Sequence, residues 1–104
     1  GGEKIYPVQI EDFVREYMAV KDVAVIGLPD KRLGEITAAI IEIKDGMTTS
    51  EEEINAFCEA LPRYKRPKTI FFDKVPRNPT GKIEKPVLRE RYCKVSLVEA
   101  QINS

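Results

Sequence analysis

The chain has no histidine, and this absence narrows the chemistry open to its 104 residues. Serine or cysteine nucleophiles activated by an imidazole are excluded, and so is the commonest side-chain ligand of zinc. Lys and Arg together number 17, as do Asp and Glu, so the formal net charge is zero and no overall field attracts nucleic acid or an acidic membrane. Chemistry must therefore depend on lysine, arginine, glycine and carboxylates, and any anion site must be local.

Cysteine and long apolar runs are also scarce. Cys58 and Cys93 fall in helical patterns without motif spacing, which favours reduced thiols and a cytoplasmic location over a disulfide framework. No apolar stretch approaches the ~20 residues of a membrane span and no secretory signal is visible, so we expect no transmembrane segment. A P-loop is excluded too, because Ile83 follows Gly81-Lys82 where that motif requires Ser or Thr.

Apolar residues repeat with helical spacing in three stretches. They predict helices at about 7–20, from Ser50 to Leu61, and from near Pro86 onward. Pro7 suits the first position of the first helix, and Ser50 with Glu53 forms a capping box at the start of the second. The inward faces of the first and third helices are predicted to contain Ile10, Phe13, Val14, Tyr17 and Met18, and Val87, Leu88 and Tyr92.

Three β-rich runs predict strands at 23–28, 36–43 and 69–75. The first is apolar at nearly every position, which indicates a strand buried on both faces, and the short turn after it favours antiparallel pairing with the second. The order of elements predicts an α+β fold, in which a small three-stranded mixed sheet packs against about three helices. We expect residues 1–95 to form this domain and residues 96–104 a C-terminal tail, for which the pattern leaves disorder open.

A turn near the end of the chain is the segment best suited to chemistry. In it Lys82 follows Pro76, Pro79 and Gly81. Proline restricts φ and glycine permits positive φ, so the turn can hold the lysine side chain in a defined direction. An ammonium presented in this way suits an anionic centre. The simpler alternative at this point is a solvated surface lysine, because most lysines are exposed and do nothing specific.

Two further polar loops lie outside the predicted elements, where functional residues often collect. One is a basic run, which is either a solvated face or a phosphate-contacting patch and whose charged residues are Arg63, Lys65, Arg66 and Lys68. Nucleic acid is not expected as its partner, because the run is short and the chain is neutral overall. The other is Gly1-Gly2-Glu3-Lys4, which is either a fragment end or a backbone that a ligand can approach closely.

Four segments follow one another along the chain: GGEKIYPVQIE at 1–11, VIGLPD at 25–30 with Gly34-Glu35, YKRPK at 64–68, and PRNPTGKI at 76–83. In order and spacing they resemble the small C-terminal domain of the adenylate-forming (AMP-binding) acyl-CoA synthetases, a family that includes fatty-acid-CoA ligases. The resemblance extends from the first residue to about Arg91. The form of the first segment is more similar to acyl- and aryl-CoA ligases than to peptide-synthetase adenylation domains.

The resemblance implies the lid domain of an ATP-dependent acid-thiol ligase, which activates a carboxylic acid as acyl-AMP and transfers the acyl group to coenzyme A. Lys82 matches the adenylation lysine of the family and is the catalytic residue that it implies. The implied cofactor-binding residues, on the coenzyme A and ATP side, are Gly1, Gly2, Glu3, Lys4 and Gly81. The basic residues Arg63, Lys65, Arg66 and Lys68 would meet the phosphates of the nucleotide or the large domain, and no metal-binding residue is predicted.

The same resemblance implies a large N-terminal domain of the same polypeptide as partner, which would hold ATP, Mg²⁺, coenzyme A and the carboxylic acid. We expect the isolated domain to bind none of these stably and to be inactive. Two alternatives stay open: the lid of a peptide-synthetase-type adenylation domain, and a non-catalytic module that binds an anion or a protein. Fatty, aromatic and short-chain acids all remain open as substrates.

Overall fold

The computed structural model describes residues 6–30, 32 and 34–102, with side chains up to residue 93. Its elements in chain order are α1 (Pro7–Val14), β1 (Val20–Asp30), β2 (Gly34–Ile43), α2 (Glu51–Cys58), a short 3₁₀ helix (Arg63–Lys65), β3 (Thr69–Phe72) and α3 (Lys85–Ile102). The predicted α+β class, with three helices and three strands, is confirmed. The division between a domain at 1–95 and a tail at 96–104 stays a prediction.

The three strands form one mixed sheet in the order β1-β2-β3. β1 and β2 are antiparallel, from Val20 opposite Ile43 to Asp30 opposite Gly34, as the short connection between them predicts. β3 pairs in parallel with β2, from Ala38 opposite Thr69 to Ile41 opposite Phe72. A parallel pair needs a crossover connection, and α2 lies within the segment that provides it.

Both faces of this sheet are covered, so successive residues of β1 and β2 enter two separate cores. One core lies under α1 and α2, and its buried residues are Ile10, Val14, Val20, Val23, Val25, Ala39, Ile41, Ile54, Cys58 and Ile70. The other lies under α3, and its buried residues are Ala24, Ile26, Leu28, Ala38, Ile40, Val75, Leu88 and Tyr92. Side chains alternate between the faces of a strand, which is why a doubly covered strand shows a continuous apolar run.

The first helix is shorter than its sequence pattern predicts, because α1 ends at Val14 rather than near residue 20. The Tyr17 amide bonds to the Val14 carbonyl, and the Val20 amide bonds to the Tyr17 carbonyl, so tight turns lead directly into β1. Met18 is consequently 71% exposed, and its predicted inward position is wrong. Tyr17 still contacts the ring of Phe57 at 5.0 Å between centroids, so the helical spacing continues beyond the helix itself.

The starts of the other two helices follow the sequence more closely. The Ser50 side chain accepts a hydrogen bond of 3.1 Å from the Glu53 amide, which is the N-cap half of the predicted capping box. The Glu53 carboxylate accepts hydrogen bonds from Thr49 and Tyr17 instead of bonding back to the cap. In α3, Leu88 and Tyr92 are buried as predicted. Val87 is 40% exposed, which corrects its predicted inward position.

The third strand ends at Phe72, before Val75, which the sequence pattern includes in it. Val75 is buried all the same, and its amide donates a hydrogen bond of 2.9 Å to the Glu42 carboxylate of β2. Within the described ranges, none of the helices has the combination of length and apolarity that crossing a membrane requires.

Candidate functional site

The segment around Lys82 folds as a small hairpin between β3 and α3. Residues 77 and 83 form an antiparallel bridge, and the Asn78 amide bonds to the Lys82 carbonyl at 2.9 Å. At the tip, the Gly81 amide bonds to the Asn78 carbonyl, and Gly81 has a φ of +90°. This left-handed conformation strains residues that carry a Cβ, so glycine is required where the turn closes. The presented turn predicted from the sequence therefore has a defined structure.

One side chain, Asn78, organises the tip of this hairpin. Its Oδ1 atom accepts three hydrogen bonds, from the Thr80 amide at 3.0 Å, the Thr80 hydroxyl at 2.7 Å and the Lys82 amide at 3.0 Å. When an asparagine side-chain oxygen accepts hydrogen bonds from later backbone amides, it takes the place of the carbonyl oxygen that closes an ordinary backbone turn. Our sequence reasoning did not single out Asn78, although an Asn two residues before Thr is the local signal for this turn.

The side chain of Lys82 is exposed, whereas its backbone is fixed on both sides. Among the residues that the structure describes, its ammonium has neither an ion pair nor a hydrogen bond. The charge is therefore available to an external anion. A lysine buried in a permanent internal ion pair would have excluded this role.

An ion pair with β1 holds the first arm of the hairpin. The guanidinium of Arg77 contacts both carboxylate oxygens of Asp22, with Nε at 2.7 Å and Nη2 at 3.0 Å, and its Nη1 donates to the Gly81 carbonyl. Burial alone would raise the pKa of the Asp22 carboxyl, but hydrogen bonds from Arg77 and the Val23 amide, with the charges of Arg77 and Arg15, lower that pKa overall. Asp22 is therefore a charged anchor at neutral pH.

A second ion pair holds the chain where the hairpin passes into α3. Lys85, the first residue of that helix, places its Nζ 2.9 Å from the carboxylate of Glu11 on α1. Glu11 is only 5% exposed, and the same carboxylate oxygen accepts a hydrogen bond of 2.7 Å from the Val25 amide. Both ends of the Lys82 hairpin are thus tied to the α1–β1 part of the fold. Our sequence reasoning gave no role to Asp22, which belongs to no motif, or to Glu11, which ends the segment at 1–11 but whose partners lie far along the chain.

The four basic residues of the 63–68 run have different surroundings. Arg66 is committed internally, since its guanidinium donates hydrogen bonds of 2.9 Å to the carbonyls of Leu61 and Glu59. The Nζ of Lys65 lies 5.0 Å from the centroid of the Tyr6 ring and 5.8 Å from that of Tyr64, within cation–π range. The side chains of Arg63 and Lys68 are exposed. Their predicted contact with phosphates or with a large domain stays a prediction.

The predicted coenzyme A loop, Gly1-Gly2-Glu3-Lys4, lies outside the described residues. Tyr6 is the first residue described, and its ring packs edge-on against Tyr64 with 6.0 Å between centroids. The described chain therefore begins beside the basic run. In the described ranges, no hydrogen bond or ion pair joins that run to the Lys82 hairpin.

Nucleophilic and metal-ligating side chains do not gather at this site. Cys58 and Cys93 are free thiols, and burial raises the pKa of Cys58 against the opposing charge of Arg66, which makes it a poor nucleophile at neutral pH. Within 6–30, 32 and 34–93, no group of three or more His, Cys, Asp or Glu side chains is arranged to hold a metal ion. As far as the described residues show, the charged group of the hairpin that is left without a partner is the ammonium of Lys82.

Comparison with known proteins assigns the chain to a family. The AMP-binding enzyme C-terminal domain matches residues 9–82. The long-chain-fatty-acid–CoA ligase FadD13 of Mycobacterium tuberculosis is 51% identical over 94 residues, which are 88% of this chain and 18% of that protein. The mitochondrial medium-chain acyl-CoA ligase ACSF2 of Homo sapiens is 45% identical over 93 residues, which are 88% of this chain and 15% of that protein.

Solved structures agree with this assignment. A Mycobacterium tuberculosis fatty acyl CoA synthetase superposes with a TM-score of 0.84 at 48% identity, over 91% of this chain and 19% of that one. ATP-bound MatB from Rhodopseudomonas palustris gives 0.84 at 35% identity, over 92% of this chain and 20% of that one. The chain belongs to the AMP-binding enzyme C-terminal domain family, as its sequence motifs predict. It spans no more than 20% of the length of these relatives.

Proposed function

We propose that this chain is the C-terminal domain of an ATP-dependent acyl-CoA synthetase, which activates a carboxylic acid as acyl-AMP and transfers the acyl group to coenzyme A. The observation that carries the proposal is the free, exposed ammonium of Lys82 at the tip of a hydrogen-bonded hairpin. Relatives named as CoA ligases match 88% of the chain, and Lys82 ends the segment that matches the family.

In the first reaction, a carboxylate oxygen attacks the α-phosphorus of ATP, an acyl–phosphate bond forms, and the bond to pyrophosphate breaks. Negative charge is then shared between the incoming carboxylate and the α-phosphoryl oxygens. A compact ammonium placed against both groups lowers the energy of this arrangement and aligns the reactants. Lys82 is the residue that we assign to this step, and Mg²⁺ is expected to accompany ATP as substrate.

In the second reaction, the thiol of coenzyme A attacks the acyl carbon and AMP leaves. For this step we propose that the domain turns, so that Lys82 withdraws and residues 1–4 line the coenzyme A tunnel. Glycines at Gly1 and Gly2 would let the backbone approach the ligand closely. The partner for both steps is a large N-terminal domain of the same polypeptide, and the two free thiols favour a cytoplasmic location.

The proposal is tested by Lys82→Ala in the full-length protein, with the two reactions measured separately. Loss of one preorganised charge lowers a rate by roughly 10²- to 10³-fold, so we expect acyl-AMP formation to fall by that factor. Conversion of supplied acyl-AMP to acyl-CoA should be unchanged. Lys74→Ala is the matched control, because Lys74 is also exposed and its side chain has no partner among the described residues.

Equal loss in both reactions would contradict the role assigned to Lys82. The 104-residue chain alone provides a second check, since we expect it to form neither acyl-AMP nor acyl-CoA from acid, ATP and coenzyme A. Turnover by the isolated chain would show that it contains its own substrate sites. Binding of an anionic partner that survives Lys82→Ala, in a full-length protein without ligase activity, would favour a non-catalytic module instead.

A further inference from the structure

We propose that Arg77 is a positioning residue for adenylation, which fixes the peptide of Lys82 relative to the sheet. The inference rests on the function proposed above, and extends it to a residue that does not itself touch the substrate. It starts from the observation that one guanidinium joins β1 to the peptide bond immediately before the lysine.

The geometry around Arg77 leaves no nitrogen of its guanidinium free. Nε and Nη2 contact the two oxygens of Asp22, and Nη1 donates to the carbonyl of Gly81, which belongs to the peptide bond that joins Gly81 to Lys82. A guanidinium engaged on three sides is poorly placed to bind a phosphate as well. Its role is therefore to hold the backbone of Lys82 at a fixed position relative to Asp22.

The anchor at the other end is equally fixed. Asp22 lies on β1 at a register irregularity between Val20 and Asp22, and one of its oxygens accepts a hydrogen bond of 2.9 Å from the Val23 amide. Arg15 adds a second cation, with Nη2 at 3.5 Å from the same oxygen. The side chain of Asp22 is 14% exposed and that of Arg77 is 40% exposed, so the pair depends on its two-point hydrogen-bond geometry rather than on burial.

A lysine at position 77 cannot replace this arrangement. An ammonium keeps the charge but is a single point, whereas the planar fork of arginine spans the carboxylate and the Gly81 carbonyl together. Displacement of a reacting group by about 1 Å can reduce a rate by about 10²-fold. Loss of the fork should therefore slow the step that uses the Lys82 ammonium, even though Lys82 itself is intact.

The test uses the full-length protein and three variants: Arg77→Lys, Asp22→Asn and the double substitution. We expect each single variant to lower the rate of acyl-AMP formation by about tenfold or more, within the range for misplaced groups. The KM for ATP should stay within about twofold, and thioester formation from supplied acyl-AMP should be unchanged. The double variant should be no slower than the slower single variant, because the two side chains act as one unit.

Arg91→Lys is the matched control. Arg91 is also an arginine paired with an aspartate, at 2.8 Å from Asp73, but it lies on α3 and its hydrogen bond to Asp73 does not involve the hairpin. It should leave both reactions unchanged. Parallel loss of both reactions in the Arg77 and Asp22 variants would show a purely structural role. Additive losses would show that the two side chains act independently, and would overturn the positioning role of the pair.

The outcome also separates this inference from the proposed function. Normal adenylation by Arg77→Lys, alongside the loss caused by Lys82→Ala, would overturn the positioning role alone. Absence of acyl-AMP formation by the unmodified full-length protein, across fatty, aromatic and short-chain acids, would overturn the proposed function and the positioning role with it.

Discussion

At the residue scale, two glycines with the same backbone strain allow the presentation of Lys82 to be tested. Gly81 has a φ of +90° and Gly46 a φ of +79°, and a Cβ at either position would meet no atom within 4 Å. Alanine at each position is therefore strained only by its backbone, at roughly 1–2 kcal/mol. Only Gly81 adjoins the candidate catalytic lysine.

We expect Gly81→Ala and Gly46→Ala to lower the free energy of unfolding of the 104-residue chain by similar amounts. In the full-length protein, Gly81→Ala should also slow acyl-AMP formation, because relief of its strain moves the peptide of Lys82, whereas Gly46→Ala should not. Denaturant unfolding and the adenylation assay provide the two measurements. Equal adenylation rates in both variants would argue against a dependence on hairpin geometry.

Single residues also show how far the sequence predicts the site. Lys82 and Gly81 are recognisable because turn chemistry is local, and four residues are enough to define it. The pair of Asp22 and Arg77 is separated by 55 positions, so their contact exists only once β1 and the hairpin are folded together. Glu11 is similar, because a buried carboxylate on a helix cannot be told from a solvated one until its partner Lys85 is placed.

At the scale of elements, the sequence predicts a helix or strand correctly where burial alone determines the spacing of its apolar residues. The middle of β1, at 23–28, and the middle of β2, at 38–41, are apolar because both faces of the sheet are covered there. The sequence predicts both strands and their antiparallel pairing. It overextends α1, because Tyr17 keeps the helical spacing while it packs on Phe57 from a turn. The spacing of apolar residues does not show where the helix ends, because its end is set by the start of pairing in β1.

The end of α2 provides a prediction at the same scale. The guanidinium of Arg66 bonds to the carbonyls of Glu59 and Leu61, which follow the last residue of that helix. Arg66→Ala should therefore lower the free energy of unfolding by about 1.5–3 kcal/mol, since the hydrogen bonds that the charged guanidinium donates are lost. Arg63→Ala should change it by about 0.5 kcal/mol or less, because that side chain is exposed.

Urea unfolding of the 104-residue chain measures both changes, and comparable losses in the two variants would contradict this account. The Arg63→Ala variant also tests a functional role for the basic run. Among the described residues, no side chain pairs with the guanidinium of Arg63. If the basic run contacts phosphate, Arg63→Ala should therefore weaken substrate binding by the full-length protein while leaving its stability nearly unchanged.

At the scale of the whole molecule, Tyr92, which packs from α3 against the sheet, makes stability depend on alkaline pH. Burial, together with the hydrogen bond and charge of Asp73, raises the pKa of Tyr92 to about 12. Its hydroxyl donates a hydrogen bond of 2.7 Å to that carboxylate. A tyrosine in an unfolded chain has a pKa of about 10, so above this pH the unfolded state loses a proton that the folded state keeps.

The stability that Tyr92 contributes is therefore complete below about pH 10 and is lost as pH rises toward about 12. We expect Tyr92→Phe to cost about 1 kcal/mol near pH 8, where its hydrogen bond is intact in the unmodified chain. This difference should shrink across the alkaline window. Tyr64→Phe is the control, because its ring is 60% exposed. Unfolding free energies at several pH values test the prediction, and a difference independent of pH would refute it.

The double attachment of the Lys82 hairpin has one more consequence. Its first arm is tied to β1 through Asp22, and its exit into α3 is tied to α1 through Glu11, so the ammonium shares the orientation of the sheet. In an enzyme that alternates between two reactions, no separate flap would need to open or close. If the domain turns as proposed above, the cation would move together with the sheet as part of one rigid body.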